Sequence, residues 1–329
     1  MKNKRFLLLL ILSALCLSNL LADPEAKITF HIITDEGKSL VDFPYQAGSS
    51  LTHPAHLGSL DNTVNVSGIT DKNGDVSLTL SSATGEIYSG TSYGMKGYYA
   101  AGIKYQFTNS AGDKWQPWNP TLELVVKPII NPIPMYACNV GLLGQGLQLP
   151  VRNGPVGFDL EANDWVAPYG KGTVSDFIFT AAEKIPFVKY KQPFDITWTL
   201  SFSNKGDGIQ SVTPTSNPGS SVRMLCDAPP TGYEPTFVQE LARNGAKALN
   251  GDTGEDQNYF FRVRTVLDEQ GNVKSALYGK ISGPVRYWGD SKIHLTYYLN
   301  PTPNDRNMEF DPSKNLLQNL TDDQQVKAP

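Results

Sequence analysis

Residues 259–267 read YFFRVRTVL, residues 268–272 DEQGN and residues 273–282 VKSALYGKIS. In the first arm Phe261, Val263, Thr265 and Leu267 fall on one face, and in the second Val273, Leu277 and Ile281 do. Arg262, Arg264, Lys274 and Lys280 occupy the alternate positions. Side chains two residues apart share a face in extended chain, and aromatic and β-branched residues favour that state. A Gly-Asn-containing turn between two such arms predicts a β-hairpin. The hairpin is expected to bury its apolar face and leave the basic face wet.

The same period of two recurs outward from this hairpin. Residues 27–34 (KITFHIIT) place Ile28, Phe30 and Ile32 together, and residues 40–45 form a second short run. Residues 63–70 (TVNVSGIT) lead through Asp71-Lys72-Asn73-Gly74 into residues 75–81 (DVSLTLS), which predicts a second hairpin. Runs at 86–88, 97–99, 103–108 and 121–127 complete about seven or eight strands, the content of an antiparallel sandwich of roughly 100 residues. Residues 173–181, 194–202 and 292–299 continue the pattern. One helix is expected at 236–243 (TFVQELAR), a mobile Gly/Asp/Asn-rich loop at 244–258, and a frayed polar tail from Pro312. The fold class is therefore mainly β: an N-terminal antiparallel β-sandwich followed by a second β-rich domain of sandwich type.

Five prolines, at 117, 120, 128, 132 and 134, remove ladder donors and fix φ, so a stiff linker is expected near 127–136. The resulting organisation is a leader over 1–22, a sandwich over 23–127, a linker over 128–136, a second domain over 137–311 and a tail over 312–329. The leader rests on Met1-Lys2-Asn3-Lys4-Arg5, a basic head, followed by an apolar run from Phe6 to Leu17 and then Ala22. That layout predicts a secretory signal cleaved after Ala22. The run is shorter than the roughly 20 residues that cross a bilayer. Cys16 follows the bulky Leu15, which speaks against a lipoprotein signal. The expected destination is the periplasm, the cell surface or the medium.

Three of the 28 Lys+Arg and none of the 32 Asp+Glu lie in the leader, so 25 bases face 32 acids, a balance of −7. Such a chain has no electrostatic footprint for nucleic acid or anionic lipid. After cleavage Cys138 and Cys226 remain. In an oxidising compartment they can form one disulfide, or remain two separate thiols.

The N-terminal phrases resemble carboxypeptidase regulatory-like (transthyretin-like) domains. The matching residues are the strand Ile28 to Ile33 with the Gly37 turn, then Thr70-Asp71-Lys72-Asn73-Gly74-Asp75-Val76, Glu86-Ile87-Tyr88 and Lys96-Gly97-Tyr98-Tyr99. The resemblance covers about a third of the chain and implies an accessory sandwich of a secreted protein, without catalytic residues. Gly157-Phe158-Asp159-Leu160, the stretch 164–172 (DWVAPYGKG) and the stretch 296–307 (TYYLNPTPNDRN) are similar to phrases of uncharacterised exported bacterial proteins. That likeness implies no activity.

Several constellations carry candidate chemistry. Gly90-Thr91-Ser92-Tyr93-Gly94 has the Gly-x-Ser-x-Gly form, yet a nucleophile elbow needs a helix directly after it, and Met95-Lys96-Gly97 starts none. His53 and His56 are too few for zinc. The oxygens of Asn304-Asp305-Arg306-Asn307 and of Asp71 to Asp75 have the hardness calcium prefers, but lack its loop pattern. Glycines do not precede Gly37-Lys38-Ser39 as a phosphate loop requires. The most suggestive phrase is Trp115-Gln116-Pro117-Trp118-Asn119-Pro120. Paired tryptophans offer flat faces to sugars or peptides, with Gln116 and Asn119 supplying hydrogen bonds; the competing role is packing. Trp165, Trp198 and Trp288 are expected in the core. The sequence thus predicts a non-catalytic exported binding or structural protein of the cell envelope. It implies no cofactor, metal or membrane span, and it leaves the ligand unidentified, with a glycan or a peptide as the candidates. The alternative is an envelope or polysaccharide hydrolase with its site in 137–311.

Overall fold

The alternation of apolar side chains resolves into stacked sheets in a computed structural model, which describes residues 22–53, 62–90, 97–141, 146–189, 191–212, 220, 222, 224–244, 247–250 (backbone only), 257–288 and 290–329. The chain divides into two units after Lys127. Among the described residues the secondary structure is almost entirely β, with one turn of 3-10 helix at Pro312–Lys314.

The first unit holds β1 (Glu25–Thr34), β2 (Pro44–Ser50), β3 (Thr63–Ile69), β4 (Asp75–Ser81), β5 (Glu86–Gly90), β6 (Gly102–Gln106), β7 (Asn109–Ala111), β8 (Lys114–Gln116) and β9 (Thr121–Val126). One sheet centres on β1, antiparallel to β4 and parallel to β9, with β8 and β7 beyond; the other runs β3-β2-β5-β6. Ile28, Phe30 and Ile32 meet Val76, Leu78, Tyr45 and Ile87 between them. Each fully buried side chain of this size contributes roughly 1.5–3 kcal/mol.

The turn at Asp71 to Gly74 does not close a hairpin: β3 pairs with β2 and β4 with β1, so the turn carries the chain from one sheet to the other. Thr70 explains the departure. Its hydroxyl donates to Leu40 O at 2.5 Å and accepts from Phe43 N at 2.9 Å, which ties the end of β3 to the approach to β2. Gly68 completes it, because a Cβ there would stand 2.6 Å from Val76 and 2.9 Å from Leu78, side chains of the opposing sheet.

The second unit holds β10 (Tyr136–Val140), β11 (Leu147–Gln148), β12 (Val156–Asp159), β13 (Asp164–Trp165), β14 (Phe177–Ile185), β15 (Phe194–Ser201), β16 (Gly208–Val212), β17 (Thr236–Asn244), β18 (Lys247–Asn250), β19 (Asn258–Leu267), β20 (Val273–Ile281), β21 (Arg286–Trp288) and β22 (Lys292–Leu299). A seven-stranded sheet runs β10-β22-β20-β19-β16, with β11 and β21 also on β22, and a six-stranded sheet runs β13-β12-β14-β15-β17-β18. Phe158, Phe177, Phe179, Trp198, Phe261 and Tyr297 interlock between them.

The hairpin β19–β20 is present, but its second face is not wet. Arg262 and Lys280 are buried, and Phe260, Tyr278 and Tyr298 lie on the same side under Met135, Met308 and Phe310. Arg262 survives burial by donating to Gly206 O and Pro230 O, with its guanidinium 4.9 Å over the Tyr233 ring. Lys280 Nζ stands 4.6 Å over the ring of Tyr298. Beyond Val263 the alternation itself breaks. From Val263 to Val266, β19 spends three residues where β20 spends two, and Arg264 takes a left-handed φ of 54°. That is a β-bulge, which re-aims a side chain.

Three further expectations change, and the two alternatives for the cysteines resolve to separate thiols. Residues 236–243 are strand, because Phe237, Gln239 and Leu241 fit period two as well as helical spacing and β15 supplies a full ladder from Ser201 to Phe194; tertiary pairing overrides a weak local preference. Residues 128–136 belong to the second unit: Glu309 accepts from Ile130 N and Asn131 N, and Ile133 pairs with Phe310. The tail is docked rather than frayed. Asn315 brackets Ala137, Gln324 O accepts from Asn139 N, and Val326 is buried in the outer cluster. Cys138 and Cys226 form no disulfide. Cys138 points between the sheets, whereas the segment around Cys226, with Met224 and Ala228, covers the opposite face.

Candidate functional site

The turn after β8 holds the four predicted ligand contacts, and the structure divides them. Trp115 packs beside Phe107, with ring centroids 6.5 Å apart, and its Nε1 donates to Ser82 O at 2.9 Å. Gly85, with φ of 72°, lies against that ring: a Cβ there would stand 3.0 Å from it. Gln116 Oε1 accepts from Trp118 N at 3.1 Å, and the Gln116–Pro117 peptide is cis. Asn119, at φ of 60°, accepts from Thr29 Oγ1 at 2.9 Å and donates its N–H to Lys27 O. Three of the four are thereby tied into the sheet. Trp118 is 38% exposed, with Lys114 Nζ 4.9 Å above its ring. An aromatic held this way is pre-organised for stacking and loses little freedom on contact.

The densest charged cluster lies in the second unit. Arg264 Nε and Nη2 donate to the two oxygens of Asp176 at 2.8 and 2.9 Å, Nη2 lies 3.4 Å from Asp159, and Nη1 reaches Glu161 at 2.8 Å. Asp159 is also a hub for the loop around it, accepting from Glu161 N, Ala162 N, Thr173 N and Val174 N. Burial pushes its carboxyl up, but those N–H groups and Arg264 outweigh burial and hold it below the ordinary value. Burial dominates at Asp176 and raises it in spite of the guanidinium. Arg264 is raised, first by its bonds to Asp176. Two carboxylates with divergent titration are the mark of many catalytic pairs. Here the side chain of Asp176 is 0% exposed and that of Asp159 5%, and their bonds fasten β19 to the ends of β12 and β14. Strict alternation along 259–267 predicts a wet face for Arg264. The available signal was the pair of aspartates embedded in the apolar phrases Gly157 to Leu160 and Ser175 to Phe177.

Residues 304–311 are likewise committed to structure. Asn304 bonds to Ala276 N and Lys274 O, Asn307 to Asn131 O and Glu309 N, and Arg306 donates to Ala228 O. Asp71 Oδ1 accepts from Asn73 N and Asp75 N. Residues 91–94 of the Gly-x-Ser-x-Gly phrase, and His56, lie outside the described residues, as does the leader through residue 21. Trp288, expected in the core, is instead exposed at the end of β21, edge-on to His294. Trp165 and Trp198 are buried. A groove of about 380 Å³ beside β16 is lined by Gln210, Ser211, Glu234, Thr236, Phe237 and Tyr259. Glu234 is its one carboxylate among these residues, whereas glycosidic hydrolysis uses two. Among the described residues no group of three or more His, Cys, Asp or Glu is placed to hold a metal, and no helix is long and apolar enough to cross a membrane.

No family model matches the chain, and no curated protein does. Among solved structures, the chain is similar to a DUF3823 family protein from Parabacteroides merdae ATCC 43184, at 8% identity over 88% of this chain and all of the other, with a TM-score of 0.23. It is also similar to a streptococcal ancillary pilin, at 12% identity over 72% of this chain and 52% of the pilin, with a TM-score of 0.21. TM-scores this low do not establish a common fold.

Proposed function

We propose that the protein is an exported, non-catalytic binding or structural component of the cell envelope, and that the Trp118 ring is its ligand-facing feature. The observation that carries this reading is the division of the turn: Trp115, Gln116 and Asn119 are spent on holding Trp118 in place, and Trp118 faces solvent. A flat exposed ring on a fixed turn suits the apolar face of a sugar or a peptide side chain. The inward, saturated state of Arg264, Asp159 and Asp176 supports a structural use for the strongest charges, and the basic-then-apolar start of the chain supports export. The likeness of the first unit to carboxypeptidase regulatory-like modules fits an accessory role.

The test is a fluorescence titration of the full chain with soluble oligosaccharides and short peptides, using Trp118→Ala and Trp115→Ala. Trp118→Ala is expected to abolish binding with the melting temperature unchanged, whereas Trp115→Ala, at a partly buried ring, lowers stability by about 2 kcal/mol, less than the cost of truncating a fully buried tryptophan. Binding that survives Trp118→Ala, or breakdown of the ligand during the titration, overturns the proposal.

A further inference from the structure

Among the described residues, four buried side-chain atoms of the second unit have no hydrogen-bond partner in the protein, Trp198 Nε1, Gln239 Oε1, Glu183 Oε1 and Thr265 Oγ1, and the first three lie on the neighbouring strands β15, β17 and β14. Trp198 and Gln239 are strand partners on β15 and β17. Their side chains therefore stand on the same face, with Cβ atoms about 5 Å apart. Glu183, whose side chain is 3% exposed, lies two residues along β14 from Ala181, the partner of Trp198 on its other side. The strands on both sides of this donor thus each carry an unpartnered acceptor atom, and the other oxygen of Glu183 is ion-paired with Arg152 at 3.5 Å.

The side chains cannot simply turn to satisfy one another. Gln239 Nε2 donates to Val285 O at 2.8 Å, so reversing the amide would set two carbonyl oxygens face to face. The Trp198 ring is stacked between Phe179 and Tyr287, at interplanar angles of 22° and 16°. A buried polar group without a partner forfeits its hydration, and native interiors rarely leave several together. Water has two donors and two lone pairs, which complements one N–H and two oxygens, and buried waters typically make two to four such bonds.

We infer that the second unit binds an ordered internal water between its sheets, which accepts from the Trp198 indole N–H and donates to Gln239 Oε1, with its second hydrogen directed to the Glu183 side. The site is independent of Trp118 and of the proposed function. It completes the hydrogen bonding of a layer that is otherwise aromatic, and it fixes the lateral register of β14, β15 and β17 through a molecule the chain does not encode.

The test uses the full chain labelled with nitrogen-15 at the tryptophan indoles, with Trp198→Phe identifying the Trp198 resonance by its loss. The expected result is a cross-peak between that N–H and water with the sign of a long-lived contact. Gln239→Met, which keeps the volume and removes the acceptor, is expected to abolish the cross-peak and move the resonance upfield. Absence of a long-lived water contact in the unmutated protein overturns the inference, because the indole then bonds directly to protein. A cross-peak unchanged in Gln239→Met overturns it as well. Should Gln239→Met fail to fold, the cross-peak of the unmutated protein decides alone.

Discussion

Replacing Arg264 with Met tests the charged cluster directly. The substitution keeps much of the stem and removes four donor contacts to three carboxylates. Glu161 is a third exposed, so its share is that of a surface pair, about 0–1 kcal/mol. Asp176 and Asp159 are different, because both remain buried after the cation leaves. Removing one partner of a buried pair costs about 3–5 kcal/mol. We therefore expect Arg264→Met to lower the unfolding free energy of the second unit by about 4 kcal/mol at pH 7.5, read from urea titration of the Trp165 and Trp198 fluorescence. The loss should shrink at pH 5. Arg264 is what opposes the effect of burial on Asp176, so without it the carboxyl rises further and takes up a proton in the folded state before it does so in the unfolded one. A folded acid with a raised pKa gains stability as pH falls through that pKa towards the unfolded value. Adding Asp176→Asn to Arg264→Met should restore more than half of the loss, since no buried charge then stands against Arg264's empty place except Asp159, which its backbone donors serve. A loss under about 1 kcal/mol, or one that does not respond to pH or to Asp176→Asn, refutes the view that this cluster is a desolvated structural pair.

Three other outcomes follow from named contacts. Deleting residues 312–329 should lower the melting temperature of the second unit and expose apolar surface to a fluorescent dye, because Asn315, Gln324 and Val326 dock on β10 and the outer cluster; an unchanged melting curve would restore the picture of a loose tail. The carboxyl of Asp159 is held below its unfolded value near 3.8, so its contribution is fully present above that pH and is lost as pH falls through the folded value. Asp159→Asn should accordingly flatten acid unfolding below about pH 4, as followed by circular dichroism. Cys138 is buried and its thiol is pushed up to about 12 by burial, so a thiol reagent at pH 8 should label it only at the rate of unfolding. Rapid labelling of two equivalents in the native protein contradicts that placement.

The β class and most strand positions were legible because they are local: a period of two, turn residues and aromatic content act within a few residues of one another. The cover over Arg262 and Lys280 was not legible, since it is assembled from Met135, Met224, Met308, Phe310 and Val326, residues spread over most of the second unit. Residues 236–243 misled for a related reason. Their spacing suits a helix or a strand, and the neighbouring β15 decides between them. At the candidate site, the residue types around Trp118 were readable, but not the split between ring and supports, which depends on Ser82 and Thr29 reaching across the fold. Arg264 lay beyond reach because its partners stand 88 and 105 positions away and a bulge reverses its side.

The ladder between β10 and β22 joins Tyr136 to Leu299 and Val140 to Leu295, and residues 309–326 then cover the outside of β10. A chain synthesised from its N-terminus delivers β10 long before either companion. Until the later residues emerge, its apolar side chains have nowhere to go. The second unit thus closes late, only once β22 and residues 309–326 are available to pair with β10 and cover it.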